Sequence, residues 1–476
     1  MGQNVLWDSK EEKILKYKIW LSILLVTSIL AGCSLPLENR NQKLEENEKG
    51  YTLGLTPDFS YEVKEQLPNI LVNQVGYLPQ SSKIAILQGN DLEKIFYVYN
   101  AITGKQEFVG TLKPDSLFSQ KEDNPEGGKK ENYLADFSAL SKTGSFYIYH
   151  EDLGYSYLFQ IKNGIYDDIE KELITMMERE KEDTSLLCYQ LACFLFAKEL
   201  YPENLLEADR LERVCREKIE NLMLAQDEKT GSVYVDISIA KRKNDLDEVQ
   251  KQQFISLTAT AAYAGVMAEY AFQIKGTDRE LANRCQIAAE QAYKSIQNSL
   301  DNVGFDAGYF AVTYLYRLTG REKYSQAISQ YMAMKEEQKS YTEYDFSLFG
   351  DYAYITLPQG TKLELGENLM KKIMSRAEEI SLTSGRNSYY VSDKKEYNEI
   401  SGKLKGMSNM ALVNYIITNH EYSTLIKNYV DYFMGRNPEN ICYIDGFGVR
   451  TSEEGQPKVD ELNCGLFYLL LQAAKI

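Results

Sequence analysis

Cys33 has the most chemistry in its immediate neighbourhood. It follows Leu30, Ala31 and Gly32, at the end of an apolar run from Ile19 to Leu30 that Lys10, Lys13, Lys16 and Lys18 precede. A basic stretch, a short apolar stretch and then small residues is the order of a secretory signal, and the run is too short to cross a bilayer comfortably. Leu30-Ala31-Gly32-Cys33 looks like a bacterial lipobox, so Cys33 is the expected lipidation site after removal of residues 1–32. That places the protein at a bacterial cell surface, with a lipid anchor as its only expected membrane contact. The other six cysteines, Cys188, Cys193, Cys215, Cys285, Cys442 and Cys464, have spacings that fit neither a zinc site nor a small disulfide scaffold. They read as buried free thiols. Only two histidines are present, His150 and His420, and no metal or cofactor is expected. A net charge of −16 without a basic stripe argues against nucleic acid as a partner. Tyrosine is abundant, with 36 residues, and pairs such as Tyr389-Tyr390 and Tyr352 with Tyr354 could stack on sugar rings.

The elements that must position such groups fall into two halves. Residues 33–68 read as a polar tether, with a charged run from Glu38 to Gly50. Residues 69–162 carry short β-branched and aromatic runs such as Ile84–Leu87, Ile95–Tyr99 and Phe146–Tyr149, broken by turn signals at Gly89-Asn90-Asp91 and Thr103-Gly104-Lys105. Strands at that spacing predict a β-sandwich. From Tyr166 the apolar period changes from 2 to 3.6, and residues 163–476 predict twelve helices. They fall near 167–181, 184–200, 205–226, 254–275, 279–299, 305–319, 322–336, 345–356, 364–380, 404–418, 421–434 and 461–475. Twelve helices in hairpin pairs are the content of an (α/α)6 barrel. The charged run Lys241–Glu248 reads as a solvated loop.

Several segments carry a resemblance to one family. Gly435-Arg436-Asn437-Pro438 followed by Gly446-Phe447-Gly448 resembles the G-R-N-P…G-F-G segment of the glycoside hydrolase family 9 cellulases. Leu71-Val72-Asn73-Gln74-Val75-Gly76-Tyr77 resembles the start of the immunoglobulin-like domain that precedes many of their catalytic modules. Phe310–Gly320 looks like the family's W-A-A-x-x-L-Y-x-x-T-G helix with Phe for Trp, and Lys405–Asn409 stands where W-G-S-N is usual. The resemblance implies an immunoglobulin-like sandwich before an all-helical (α/α)6 barrel-like domain and a β-glycan ligand. It also implies a sugar-facing role for Arg436, Asn437, Tyr443, Phe447 and Arg450.

Members of that family invert, which takes a general acid and a general base about 6.5–9.5 Å apart. The resemblance implies a base in a D-A-G-D loop before the first long apolar helix, an acid six residues before the Asn of the last helix, and a P-H-H-R element after G-F-G. None is present. No D-A-G-D stands between Gly164 and Leu200, Pro457 holds the acid's position ahead of Asn463, and no His follows Gly448. Asp183, Glu454 and Glu461 are the carboxylates a shifted loop could offer instead, although a helix cap accounts for Asp183 without catalysis. Both tryptophans, Trp7 and Trp20, lie within residues 1–32. The sequence therefore predicts a surface lipoprotein that keeps the family scaffold for glycan binding or another interaction, without hydrolysis. The alternative is an inverting β-glucan hydrolase that uses the displaced carboxylates.

Overall fold

Alternating buried and exposed positions build the first half of the chain. The computed structural model describes residues 67–115, 131–298, 304–337, 344–358, 360–417 and 421–475, and the expected signal, Cys33 and the tether up to Gln66 lie outside them. One sheet runs β1 (Ile70–Leu71), β3 (Ile84–Gly89), β7 (Glu131–Asp136), β6 (Lys113–Pro114). The second runs β2 (Gly76–Tyr77), β10 (Phe159–Ile161), β8 (Gly144–His150), β4 (Ile95–Asn100), β5 (Gln106–Thr111), with β9 (Gly154–Tyr155) paired to β8. The inward residues of both sheets, Ala85 and Leu87 against Phe96, Val98, Phe146 and Ile148, make a separate core. Their neighbours Leu71 and Ile86 face the other way and join the helical core. His150 is buried at the end of β8, with Nε2 2.8 Å from the Glu93 carbonyl.

The switch to helix comes at Tyr166, and twelve long helices follow among the described residues. They are α1 (Asp167–Glu178), α2 (Thr184–Leu200), α3 (Ala208–Met223), α4 (Leu257–Ile274), α5 (Arg279–Ile296) and α6 (Phe305–Thr319). The rest are α7 (Glu322–Glu337), α8 (Ser347–Ile355), α9 (Leu363–Ser384), α10 (Ile400–Ile416), α11 (Ser423–Phe433) and α12 (Cys464–Ala473). The even-numbered helices pack in sequence, α2 on α4, α4 on α6, α6 on α8, α8 on α10, α10 on α12 and α12 on α2. Small residues let α4 pack so widely. A side chain at Gly265 would run into the Phe310 ring, so that ring lies directly against the α4 backbone.

Two local expectations change. The charged run at 241–248 is not a plain loop: short helices span Ile237–Lys241 and Glu248–Gln253. Asp247 and Gln250 form a reciprocal capping box that starts the second one. Helix α10 begins at Ile400, earlier than the pattern predicts, with Gly402 in its first turn. A Cβ there would lie 2.2 Å from the Glu396 carbonyl, so the glycine lets the preceding loop fold back onto the helix. All six described cysteines are buried and unpaired.

Candidate functional site

The Gly435–Gly448 segment is where two distant stretches of sequence meet. The Asn73 side chain donates to Asp431 Oδ1 at 2.8 Å. The Gln74 amide donates to the Asn440 carbonyl at 2.9 Å, while its Oε1 accepts from the backbone N–H groups of Val449 (3.0 Å) and Arg450 (2.9 Å). Gly435 takes φ = 122°, and a side chain there would strike Gln74, so both geometry and space demand glycine. Arg436 is fully buried. Its guanidinium donates to the Ile84 carbonyl of β3 at 3.3 Å and to Asn428 at 3.1 and 3.0 Å, and lies 3.6 Å from Asp431. Burial pushes the Asp431 carboxyl up to about 6, against the pull of Arg436 and the Asn73 hydrogen bond. The segment is thus a polar clasp between the sandwich and the helices.

That placement assigns the residues expected to face a sugar. Arg436, Asn437 and Tyr443 are enclosed. Asn437 ties its own turn through the Tyr432 and Ile441 carbonyls (2.8 and 2.7 Å), and the Tyr443 hydroxyl donates to Glu439 at 2.9 Å. Phe447 is half-buried and packs on the helical core. Arg450 donates to the Glu439 carbonyl at 2.8 Å. Tyr352, Tyr354 and Tyr389 are buried as well, Tyr352 donating to Glu199 and the Tyr389 hydroxyl accepting from Gln88.

The carboxylates offered by the sequence are separated. Asp183 is exposed and caps α2, accepting from the Leu186 N–H at 2.8 Å. Glu454 sits exposed on a turn. Glu461, just before α12, is 2.8 Å from the ammonium of Lys181, whose side chain is only 2 % exposed. Lys181 belongs to the short α1–α2 connection. The two connections that the family resemblance would equip with base and acid are therefore joined here by a lysine–carboxylate pair. Asp306 accepts from the Phe346 N–H at 3.0 Å inside the helical core, fixing the start of α8.

A cavity of about 190 Å³ opens among the N-terminal halves of α2, α8, α10 and α12. Its floor is aromatic. Tyr189, Phe349 and Tyr397 line it, and the Tyr189 ring lies 6.2 Å from Phe349, edge to face. Its rim is charged, with Asp345, Glu396, Arg376 and Lys405. Asp345 accepts from the Ser347 N–H at 3.0 Å, two residues ahead in the turn that leads into α8. Among the described residues none of the four has an ion-pair partner within 4 Å. Behind the rim, Lys403 is buried and donates to the carbonyls of Tyr397 (2.8 Å) and Asn398 (2.6 Å), which fixes the loop that carries Glu396. Burial lowers its ammonium to about 8.

Asp183, Glu454 and Glu461 do not line this cavity; Asp345 and Glu396 do, and sequence reading missed both. Glu396 stands in the polar run Asp393–Glu396, which looks like any solvated loop, and Asp345 looks like an ordinary cap. Only the pairing of helix N-termini brings them to one place.

Comparison with known proteins rests on this architecture. Residues 189–457 match the family described as Glycosyl hydrolase family 9, and residues 65–154 match the Cellulase N-terminal ig-like domain. The chain belongs to glycosyl hydrolase family 9. A curated family 9 relative, a xyloglucan-specific endo-beta-1,4-glucanase from Bacteroides ovatus, is 21 % identical, with 84 % of each chain covered. A solved Bacteroides ovatus family 9 structure superposes with a TM-score of 0.64 at 16 % identity, covering 85 % of this chain and 98 % of the other. A single mutant of a thermostable endoglucanase from Alicyclobacillus acidocaldarius gives 0.66 at 16 % identity, with 86 % and 99 % covered. These likenesses establish the fold, an immunoglobulin-like domain followed by a helical family 9 domain.

Proposed function

We infer that this family 9 chain binds β-glycans without hydrolysing them, as a lipoprotein anchored through Cys33 at a bacterial surface. The observation that carries the reading is the Lys181–Glu461 ion pair, where an inverting enzyme needs two opposed carboxylates with a water and a glycosidic oxygen between them. Pro457 at the acid's position and the shortened α1–α2 connection agree with it. The cyclic packing of the even-numbered helices supports an (α/α)6 barrel, with the cavity at the end where its inner helices begin. At about 190 Å³ the cavity is smaller than the roughly 300–1,000 Å³ of ordinary ligand pockets. It suits a chain end or a single ring better than a length of polymer. Lys405, in the stretch where the family usually carries W-G-S-N, gives the rim a cation in place of a stacking indole.

A second reading has its own observation. Asp345 and Glu396 line one cavity, so a hydrolase could use them as a relocated acid and base. Calorimetric titration with short β-glucan and xyloglucan oligosaccharides tests the binding reading: affinity for the wild type, lost at least tenfold in Lys405→Ala, supports it. Absence of affinity for any of them sinks it.

A further inference from the structure

We propose that the outer face of the β4–β8 sheet is a second glycan-binding surface, a tyrosine platform for a neutral polysaccharide chain, independent of the helical cavity. Tyr97 and Tyr99 on β4 stand directly opposite Tyr149 and Tyr147 on β8, and Tyr155 of β9 continues the row opposite Tyr149. Their burial alternates with the fully buried Phe96, Val98, Phe146 and Ile148, so all five rings point away from the sandwich core. The rings touch one another. Tyr99 and Tyr147 stack at 5.6 Å with 16° between planes, Tyr97 lies 6.2 Å from Tyr99, and Tyr149 lies 5.0 Å from Tyr155. Val109 and Ile95 extend the surface and are about half exposed, as is Tyr155.

Among the described residues the helical domain meets the sandwich on its other side. It packs on the other sheet, through Ile86, Gln88 and Asn132 and through the Arg436 contact to β3. Cross-strand tyrosine pairs stabilise a sheet, but five tyrosines together on the outer surface of a sheet form a contiguous aromatic patch, which marks a contact site. The residues flanking the rings select the partner. Val109, Thr111, Ser145 and Gln160 carry no charge, Glu107 is paired with Lys142 at 2.8 Å, and the exposed Glu93 and Glu151 stand just beyond the ends of β4 and β8. With charge confined to the strand ends and one ion pair, the middle of the face offers nothing to steer or specify an acidic or basic partner. Tyrosine combines an apolar ring face with a hydroxyl rim, and a pyranose presents the complementary pair, a C–H face and a hydroxyl edge. A neutral polysaccharide laid along the rings satisfies both.

The test is affinity electrophoresis and calorimetry of the purified protein on soluble neutral polysaccharides (xyloglucan, mixed-linkage β-glucan, glucomannan), with Tyr97→Ser/Tyr149→Ser and, as the mildest perturbation of folding, Tyr155→Ser alone. Binding by the wild type that weakens at least tenfold in the double variant and severalfold in Tyr155→Ser, with thermal unfolding of Tyr155→Ser unchanged, is the expected result. Lys405→Glu separates this face from the cavity. Loss of polysaccharide binding in Lys405→Glu with none in the tyrosine variants assigns all binding to the cavity and overturns the proposal. No binding to any neutral polysaccharide overturns it too, as does a concentration-dependent dimer that the tyrosine variants abolish, which would make the occupant a second copy of the chain.

Discussion

The clasp between the two domains and the rim of the helical cavity have been treated in opposite ways. In the clasp the resemblance to family 9 is strongest: Asn73, Gln74, Arg436 and Asn437 stand in the family's wording, and together with Asp431 they all find partners inside the protein. At the rim the wording has gone, and Asp345, Glu396, Arg376 and Lys405 form a different polar set, while outside the cavity Lys181 pairs with Glu461. A buried polar network cannot lose one member without leaving the others unpaired. A solvent-facing rim can change residue by residue at little cost in stability. On this account, what persists in the sequence is what holds the two domains together.

The largest expected effect breaks the clasp at its centre. Arg436→Ala leaves Asp431 buried without its ion-pair partner, which typically costs about 3–5 kcal/mol. Urea unfolding should show a loss of stability of that size, and a loss below about 1 kcal/mol would mean that Arg436 is no keystone.

Asp431 supplies a pH test of the same network. Its folded value, about 6, lies above the ordinary 3.8 of an unfolded aspartate. The folded protein therefore holds that proton more tightly, and the contribution is fully present below about 3.8 and lost as pH rises through about 6. The difference corresponds to about 3 kcal/mol. Asp431→Asn should remove it, so the change in stability between pH 4 and pH 7 should differ from wild type by about that amount. Superimposable pH profiles would rule out Asp431 as the titrating group.

Gln74→Ala should cost about 1–3 kcal/mol, because the Val449 and Arg450 N–H groups lose their acceptor in a partly buried loop. Faster amide exchange confined to residues 440–450 would sharpen the assignment. At the rim the expected cost is smallest. Lys405→Ala should leave stability within about 0.5 kcal/mol while weakening oligosaccharide binding, a combination that no clasp variant should produce.

The fold was legible because its signals are local. The change of apolar period at Tyr166 and the punctuation around Gly89 and Gly104 needed no knowledge of distant contacts, and twelve helices were countable from periodicity. Asp247 and Gln250 carried a capping-box signal for the short helix that follows the charged run, and reading the run as a solvated loop passed over it. The site was less legible because its geometry is not local. Arg436 is polar and follows a helix-ending glycine, so it reads as an exposed binding residue. Its acceptor on Ile84 lies 352 residues away. Asp345 and Glu396 carry no distinguishing neighbours and meet only when the N-termini of α8 and α10 are brought together. The sheet tyrosines were visible as strand residues, but which face the helices would cover was not.

Binding of β-glycans without hydrolysis, as proposed for this family 9 chain, is open to a direct chemical test. A reducing-sugar assay of the purified protein across β-glucans, xyloglucan, xylan and mannan tests it most directly, run beside Asp345→Asn, Glu396→Gln, Asp183→Ala and Glu461→Ala. Wild type and all four variants should be indistinguishable from a blank, since loss of one positioned acid or base typically costs about 10²–10⁴-fold and both expected groups are missing. Clear wild-type turnover that any one of those four substitutions abolishes would contradict it and identify a carboxylate doing the chemistry.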